Sequence, residues 1–232
     1  MAYHPVNALE VRIWDRRVGA VALDPSSGYY AFQYTPAFLR TGLDLAPIAM
    51  PIARAAEPFV FVDLPEATYY RLPALLADAL PDRFGNALIT AWMATNGVNA
   101  ASITALDRLA YMSTRGMGAL TFRPSRGPSR GKSTAVELAS LVEAARKTVR
   151  GELLDDGTTQ AALRQIIQLG TSAGGARAKA IVALNPSTHE VRSGQFDIPD
   201  GFEAWLLKFD GVTSFQDLGT TQTYGRIEYA YH

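Results

Sequence analysis

Between Arg123 and Ser133 the chain reads RPSRGPSRGKS, a run with no residue able to anchor a core. Such a Pro-, Gly- and Ser-rich stretch behaves as a linker, so the apolar residues on its two sides must form separate cores. A length of 232 residues allows two modest domains. The expected organisation is a first subdomain over 1–124, a basic linker over 125–133 and a second unit over 134–232.

Composition narrows the function classes. Hydrophobic residues make up 48% of the chain and charged ones 19%, which places it among globular rather than disordered proteins. Basic and acidic residues balance at 22 each, so nothing global favours direct contact with nucleic acid or a membrane surface. Cysteine is absent, and His4, His189 and His232 are scattered, which argues against a zinc centre. No apolar run approaches the ~18 residues of a membrane span, and no signal-peptide pattern opens the chain, so a cytoplasmic location is expected.

The linker also holds GPSRGKS, Gly127 to Ser133, after a strand-like GALTF and before a helix-like run. A phosphate-binding P-loop needs four residues between its first Gly and the Gly-Lys pair, and here there are three. Pro128 removes a further N–H donor from any cradle. The basic side chains of Arg123, Arg126, Arg130 and Lys132 therefore read as a solvated linker.

Local patterns suggest the elements. ALEVRIWDRRVGAVALD alternates apolar and polar positions and reads as a strand and hairpin, with Gly19, Pro25 and Gly28 as turn punctuation. YYAFQYTPAFL continues as a third strand, and FVFVDL reads as a short buried one. Helical spacing of Leu72, Leu75, Leu76, Ala79 and Leu80 predicts a helix from Arg71, broken by Pro81. Asp82 then caps a second helix that stops at Asn96 and Gly97, and Ser102 or Thr104 opens a third. Beyond the linker, Thr134 with Glu137 forms a capping-box pattern, and TTQAALRQIIQL gives another helix ending at Gly170. KAIVALN, EVRSGQF and EAWLLKFDG read as strands. The fold class expected is α+β, a small β-rich subdomain with helices followed by antiparallel strands plus helices.

LGTSAGGARAKAIVAL, Leu169 to Leu184, carries the chemistry. Backbone N–H groups around Ser172, Gly174 and Gly175 can form an anion-binding nest, because Gly admits the left-handed geometry and lets a phosphate approach closely. A plain helix stop followed by a turn is the alternative. Lys208, inside WLLKF, sits on a strand interior, where a buried ammonium needs a counter-charge. Glu228, on the helix-like run that follows, is the natural carboxylate, whether as part of a site or as a structural ion pair. Gly-rich turn, strand, hairpin, strand with Lys and helix with Glu is the order of parts in a protein-kinase N-lobe.

The pieces FQYTPAFL, MPIAR, LPALLADALPDRFGNALI, DRLAYMSTRGMGALTFRP, GTSAGGARAKA, WLLKFDG and YGRIEYAY together resemble the HipA family of serine/threonine kinase toxins from type II toxin–antitoxin modules. The resemblance implies that 134–232 is a partial kinase N-lobe. It places Gly174 and Gly175 in the ATP phosphate loop, Lys208 at the ATP-binding lysine and Glu228 at its helix partner. Ser172 falls at the loop serine that family members autophosphorylate as an off switch, and Lys179 at a basic position of unassigned role, beside a phosphate or in a structural pair. ATP and Mg are the implied cofactors. A HipB-like helix-turn-helix antitoxin is the implied partner, with DNA reached only through it, and a translation-related protein is the implied substrate of the intact kinase.

The sequence departs from that pattern at its end. No catalytic-loop Asp and no Mg-binding residues follow Lys208 before His232, and FDG at Phe209 to Gly211 is a strand end rather than a metal-binding motif. The expectation is an N-terminal portion, from a truncated product, a fragment or a separate subunit, inactive by itself, with no catalytic residue and no metal ligand of its own. The competing class is a non-catalytic regulatory module that binds an antitoxin or a separate kinase partner.

Overall fold

Trp14 and Asp15, at φ 46° and 60°, make the tight turn of the first hairpin. Two consecutive left-handed residues give the turn a twist that matches its flanking strands, β1 (Ala8–Ile13) and β2 (Arg16–Leu23). In the computed structural model, residues 4–127, 177–194 and 198–213 are described. The sequence reading put Gly19 among the turn residues, but Gly19 lies inside β2, paired with Tyr34 of β3 (Tyr30–Tyr34). A Cβ there would stand 2.7 and 2.9 Å from ring atoms of Phe32 and would collide with the Gln33 carbonyl. Close approach of a neighbouring strand, not a turn, requires this glycine.

The chain divides into two units, each with its own sheet. The first takes the described parts of Met1–Leu80 and Ala101–Gly127. Its sheet runs β3-β2-β1-β4, with every pairing antiparallel and β4 spanning Leu120–Arg123. Period-2 alternation turns Leu9, Val11, Ile13, Val21, Tyr30, Phe32, Tyr34 and Phe122 inward, and Val18 is buried out of step with Val21 at the irregularity in the β1–β2 register, while Glu10 and Arg12 stay on the wetter face. Short helices α1 (Pro36–Leu39), α2 (Glu66–Tyr69) and α3 (Ala74–Ala77) supply Phe38, Leu72 and Leu76 in and around them to the same core. α5 (Ala105–Met112) adds Leu106 and Leu109. Phe32 meets Tyr34 edge to face at 4.8 Å, and Tyr34 stacks on Phe38 at 5.8 Å.

Of the two openings suggested for α5, Thr104 is the one used. Its hydroxyl accepts from Asp107 N–H at 3.1 Å, and the Asp107 carboxylate accepts from Thr104 N–H at 2.8 Å, a reciprocal capping box. The other Asp107 oxygen accepts from Val6 N–H at 2.9 Å, so this buried carboxylate is spent on two backbone donors and the Thr104 hydroxyl.

Two expectations in this unit are corrected. FVFVDL forms no strand; Phe59 alone bridges to Phe32, through a reciprocal pair of hydrogen bonds at 2.8 and 2.9 Å, while Val60 and Val62 are exposed. The outer edge of β3 is already used, since Tyr30 N–H donates to the Arg71 carbonyl, and the flanking Pro58 and Pro65 cut the run short. The helix expected from Arg71 is also reduced to α3. Tyr70 and Arg71 adopt positive φ, and Pro73, at the N-cap of α3, disfavours helical geometry in the residue before it. Leu72, Leu76 and Leu80 are nevertheless buried, so the apolar spacing reports a core face even where the helix is broken.

The second unit takes Pro81–Ala100 together with the described residues after the linker. α4 (Arg83–Thr95) starts at Asp82 and ends at Asn96, with Gly97 at φ 76° behind it, as read from the sequence. The sheet runs β6-β5-β7, with β5 Arg177–Leu184, β6 Val191–Ser193 and β7 Glu203–Thr213, all antiparallel. The turn after β5 is built on Asn185, whose side-chain oxygen accepts from Ser187 and Thr188 N–H at 2.9 and 3.0 Å. Phe84 of α4 meets Phe209 of β7 edge to face at 6.4 Å, and Leu88, Ile89, Ala180, Val182 and Ala183 are buried in the same unit. The whole is an α+β chain built on antiparallel sheets. No described helix is long and apolar enough to cross a membrane.

Candidate functional site

Lys208 lies on β7 directly opposite Lys179 on β5. The ladder is irregular between Arg177 and Lys179, so strict alternation of faces does not carry across this position. The environments of the two lysines differ sharply: Lys179 is buried at 7% exposure, whereas Lys208 is exposed. The sequence argument that Lys208 is a buried ammonium in need of a counter-charge therefore does not hold. That requirement belongs to Lys179, while Phe209, the neighbour of Lys208, turns to the buried face.

The counter-charge of Lys179 is Asp82. Lys179 Nζ donates to Asp82 Oδ2 at 3.3 Å, with both side chains almost fully enclosed. Asp82 Oδ1 accepts from Gly85 N–H at 2.8 Å, which makes the same carboxylate the N-cap of α4. The first turn is completed by Asn86, whose N–H donates to the Asp82 carbonyl at 2.8 Å and whose amide donates to the Pro81 carbonyl at 2.9 Å. Burial raises the Asp82 carboxyl above its ordinary value, and the Gly85 N–H and the Lys179 ammonium pull against that rise without cancelling it.

The sequence reading gave Asp82 its cap and left Lys179 between a phosphate role and a structural pair. The structure brings Lys179 to Asp82. Neither residue advertises the other, because an Asp before a helix is fully explained as a cap and the two positions are 97 apart. The signal available in the sequence is a lysine heading the apolar strand-like run KAIVAL.

Lys208 is the one proposed site residue that lies among the described residues. As an exposed cation on a strand it has the charge and reach to meet a phosphate oxygen. Ser172, Gly174, Gly175 and Glu228 lie outside the described residues, as do the capping pattern at Thr134 and the helix-like run up to Gly170. Among the described residues no group of three or more His, Asp or Glu is placed to hold a metal ion.

A search of curated proteins found no match to this chain. A protein-family model described as the HipA N-terminal domain matches residues 9–123. The match includes the whole four-stranded sheet of the first unit, from β1 to β4, and also α4, which stands with the second unit. Through residues 9–123 the chain belongs to the HipA family and carries its N-terminal domain.

Proposed function

We propose that this polypeptide is the N-terminal part of a HipA-type serine/threonine kinase toxin of a toxin–antitoxin module and supplies the half of the ATP site that holds the phosphates. The observation that carries this reading is the arrangement that follows the HipA N-terminal domain, a three-stranded antiparallel sheet with Lys208 exposed on β7. In this reading the Lys208 ammonium neutralises the α- and β-phosphates, the backbone around Ser172, Gly174 and Gly175 cradles them, and Glu228 holds the lysine in place. Ser172 is the modifiable hydroxyl. Mg accompanies ATP, and its ligands and the base that orients the substrate hydroxyl come from a second lobe. Nucleotide sites of this kind close between two lobes, so the half-site binds ATP weakly and does not turn it over alone.

The partners proposed with it are a HipB-like helix-turn-helix antitoxin, through which DNA is contacted indirectly, and a translation-related protein substrate for the complete kinase. The balance of 22 basic and 22 acidic residues supports indirect rather than direct contact with DNA. The test is a calorimetric titration of Mg-ATP into the chain and into its Lys208→Ala variant. Saturable binding that the variant loses is the expected result. Absence of binding by both proteins would assign the chain to the class of regulatory modules that bind an antitoxin or a kinase partner.

A further inference from the structure

The Asp82–Lys179 pair connects a segment that precedes the linker to a strand that follows it, inside one unit. We propose that residues 81–100 form a strap, contributed by the HipA N-terminal domain, that docks on the β6-β5-β7 sheet as part of its core, with Asp82–Lys179 as its lock. The strap presents one interaction surface. Asp82 stands at its head, with Phe84, Leu88, Ile89 and Met93 along the helix, all buried and at the spacing of an amphipathic face. The sheet offers Lys179 to the carboxylate and Phe209 to the ring of Phe84.

The lock is specific as well as attractive. Lys179 is enclosed and registers opposite another lysine on β7, a position that favours a carboxylate partner over a second cation. Asp82 in turn cannot move off the helix end without uncapping α4. The family domain at 9–123 therefore has part of its hydrophobic face completed by the sequence beyond the linker, and the two halves of the chain are held together by more than the linker peptide. This inference does not depend on nucleotide binding.

The experiment cuts the linker of the folded full chain at a protease site placed between Gly127 and Pro128. The two fragments of the wild-type protein are expected to remain together through gel filtration. In the Lys179→Met variant, where Asp82 keeps its burial but loses its cation, release of one fragment from the other should be faster on the order of hundredfold. Adding Asp82→Asn, which keeps an N-cap side chain and removes the stranded charge, should recover most of that loss. Phe84→Ala gives an independent reading on a variant that leaves the ion pair intact, with release faster on the order of hundredfold. The proposal is overturned if the cut wild-type fragments separate, if Lys179→Met and Phe84→Ala release at the wild-type rate, or if Asp82→Asn adds to the effect of Lys179→Met instead of reversing it.

Discussion

Asp82 and Lys179 lie 97 positions apart and meet at 3.3 Å, one capping a helix and the other in the middle sheet strand of the same unit. A buried pair of this kind contributes little net stability as a pair, because desolvation offsets most of the attraction, but removing one partner is costly. Lys179→Met should destabilise the second unit by about 3 kcal/mol near neutral pH. The sign of its pH dependence follows from Asp82. A carboxyl raised above its unfolded value of 3.8 keeps its proton in the folded state over a window where the unfolded chain has lost it. The contribution of this group is therefore fully present below the ordinary carboxylate range and is lost as pH rises through the raised value. Loss of the Lys179 ammonium widens that window, so thermal melts against pH should show a steeper decline in the variant. A deficit that stays constant with pH would refute this account.

Asp107 accepts hydrogen bonds from Val6 N–H, Thr104 N–H and the Thr104 hydroxyl while fully enclosed in the first unit. Asp107→Ala leaves those donors without an acceptor and should cost about 2 kcal/mol, whereas Thr104→Ala, which removes the two hydroxyl bonds to Asp107 but keeps those from Val6 N–H and Thr104 N–H, should cost about 1 kcal/mol. Chemical denaturation of the two variants measures the difference. Equal losses would mean that the backbone bonds from Val6 and Thr104 to Asp107 contribute nothing.

Gly19→Ala places a methyl group against the Phe32 ring and the Gln33 carbonyl. Both belong to β3, so relief requires the strand or the ring to shift, at a cost of about 1–3 kcal/mol. Gly42→Ala is a contrasting control, because its cost is conformational: nothing lies within 4 Å and only the φ of 70° resists a side chain. A Gly19→Ala melting temperature equal to the wild-type value would show that β2 and β3 are less closely apposed than described.

Tyr34 donates its hydroxyl to the Met50 carbonyl at 3.1 Å, and burial, assisted by the negative charge of Asp44, pushes its phenol up to about 12. A folded value above the unfolded 10.0 means that the native state keeps its proton as the unfolded chain releases it. The resulting stability is intact below the unfolded value and is lost as pH rises through the window to about 12. Alkaline titration followed by tyrosinate absorbance should show a late-ionising group that Tyr34→Phe removes.

What the sequence determined by itself is local or periodic. Alternation in ALEVRIWDRRVGAVALD fixed which side of β1 and β2 is buried, because strand side chains repeat every second residue whatever lies across the sheet. Asp82 and Gly97 bounded α4, and Thr104 with Asp107 opened α5, because a cap is chemistry between residues a few positions apart. Tertiary structure alone decided the rest. Gly19 became a strand glycine because Phe32 passes over it, and FVFVDL lost its strand because the edge of β3 was already used. Lys179 rather than Lys208 is the buried ammonium, and the carboxylate that meets it, Asp82, comes from the head of α4. Burial and pairing of charge depend on what folds against a residue from far along the chain, and that information is not carried by spacing.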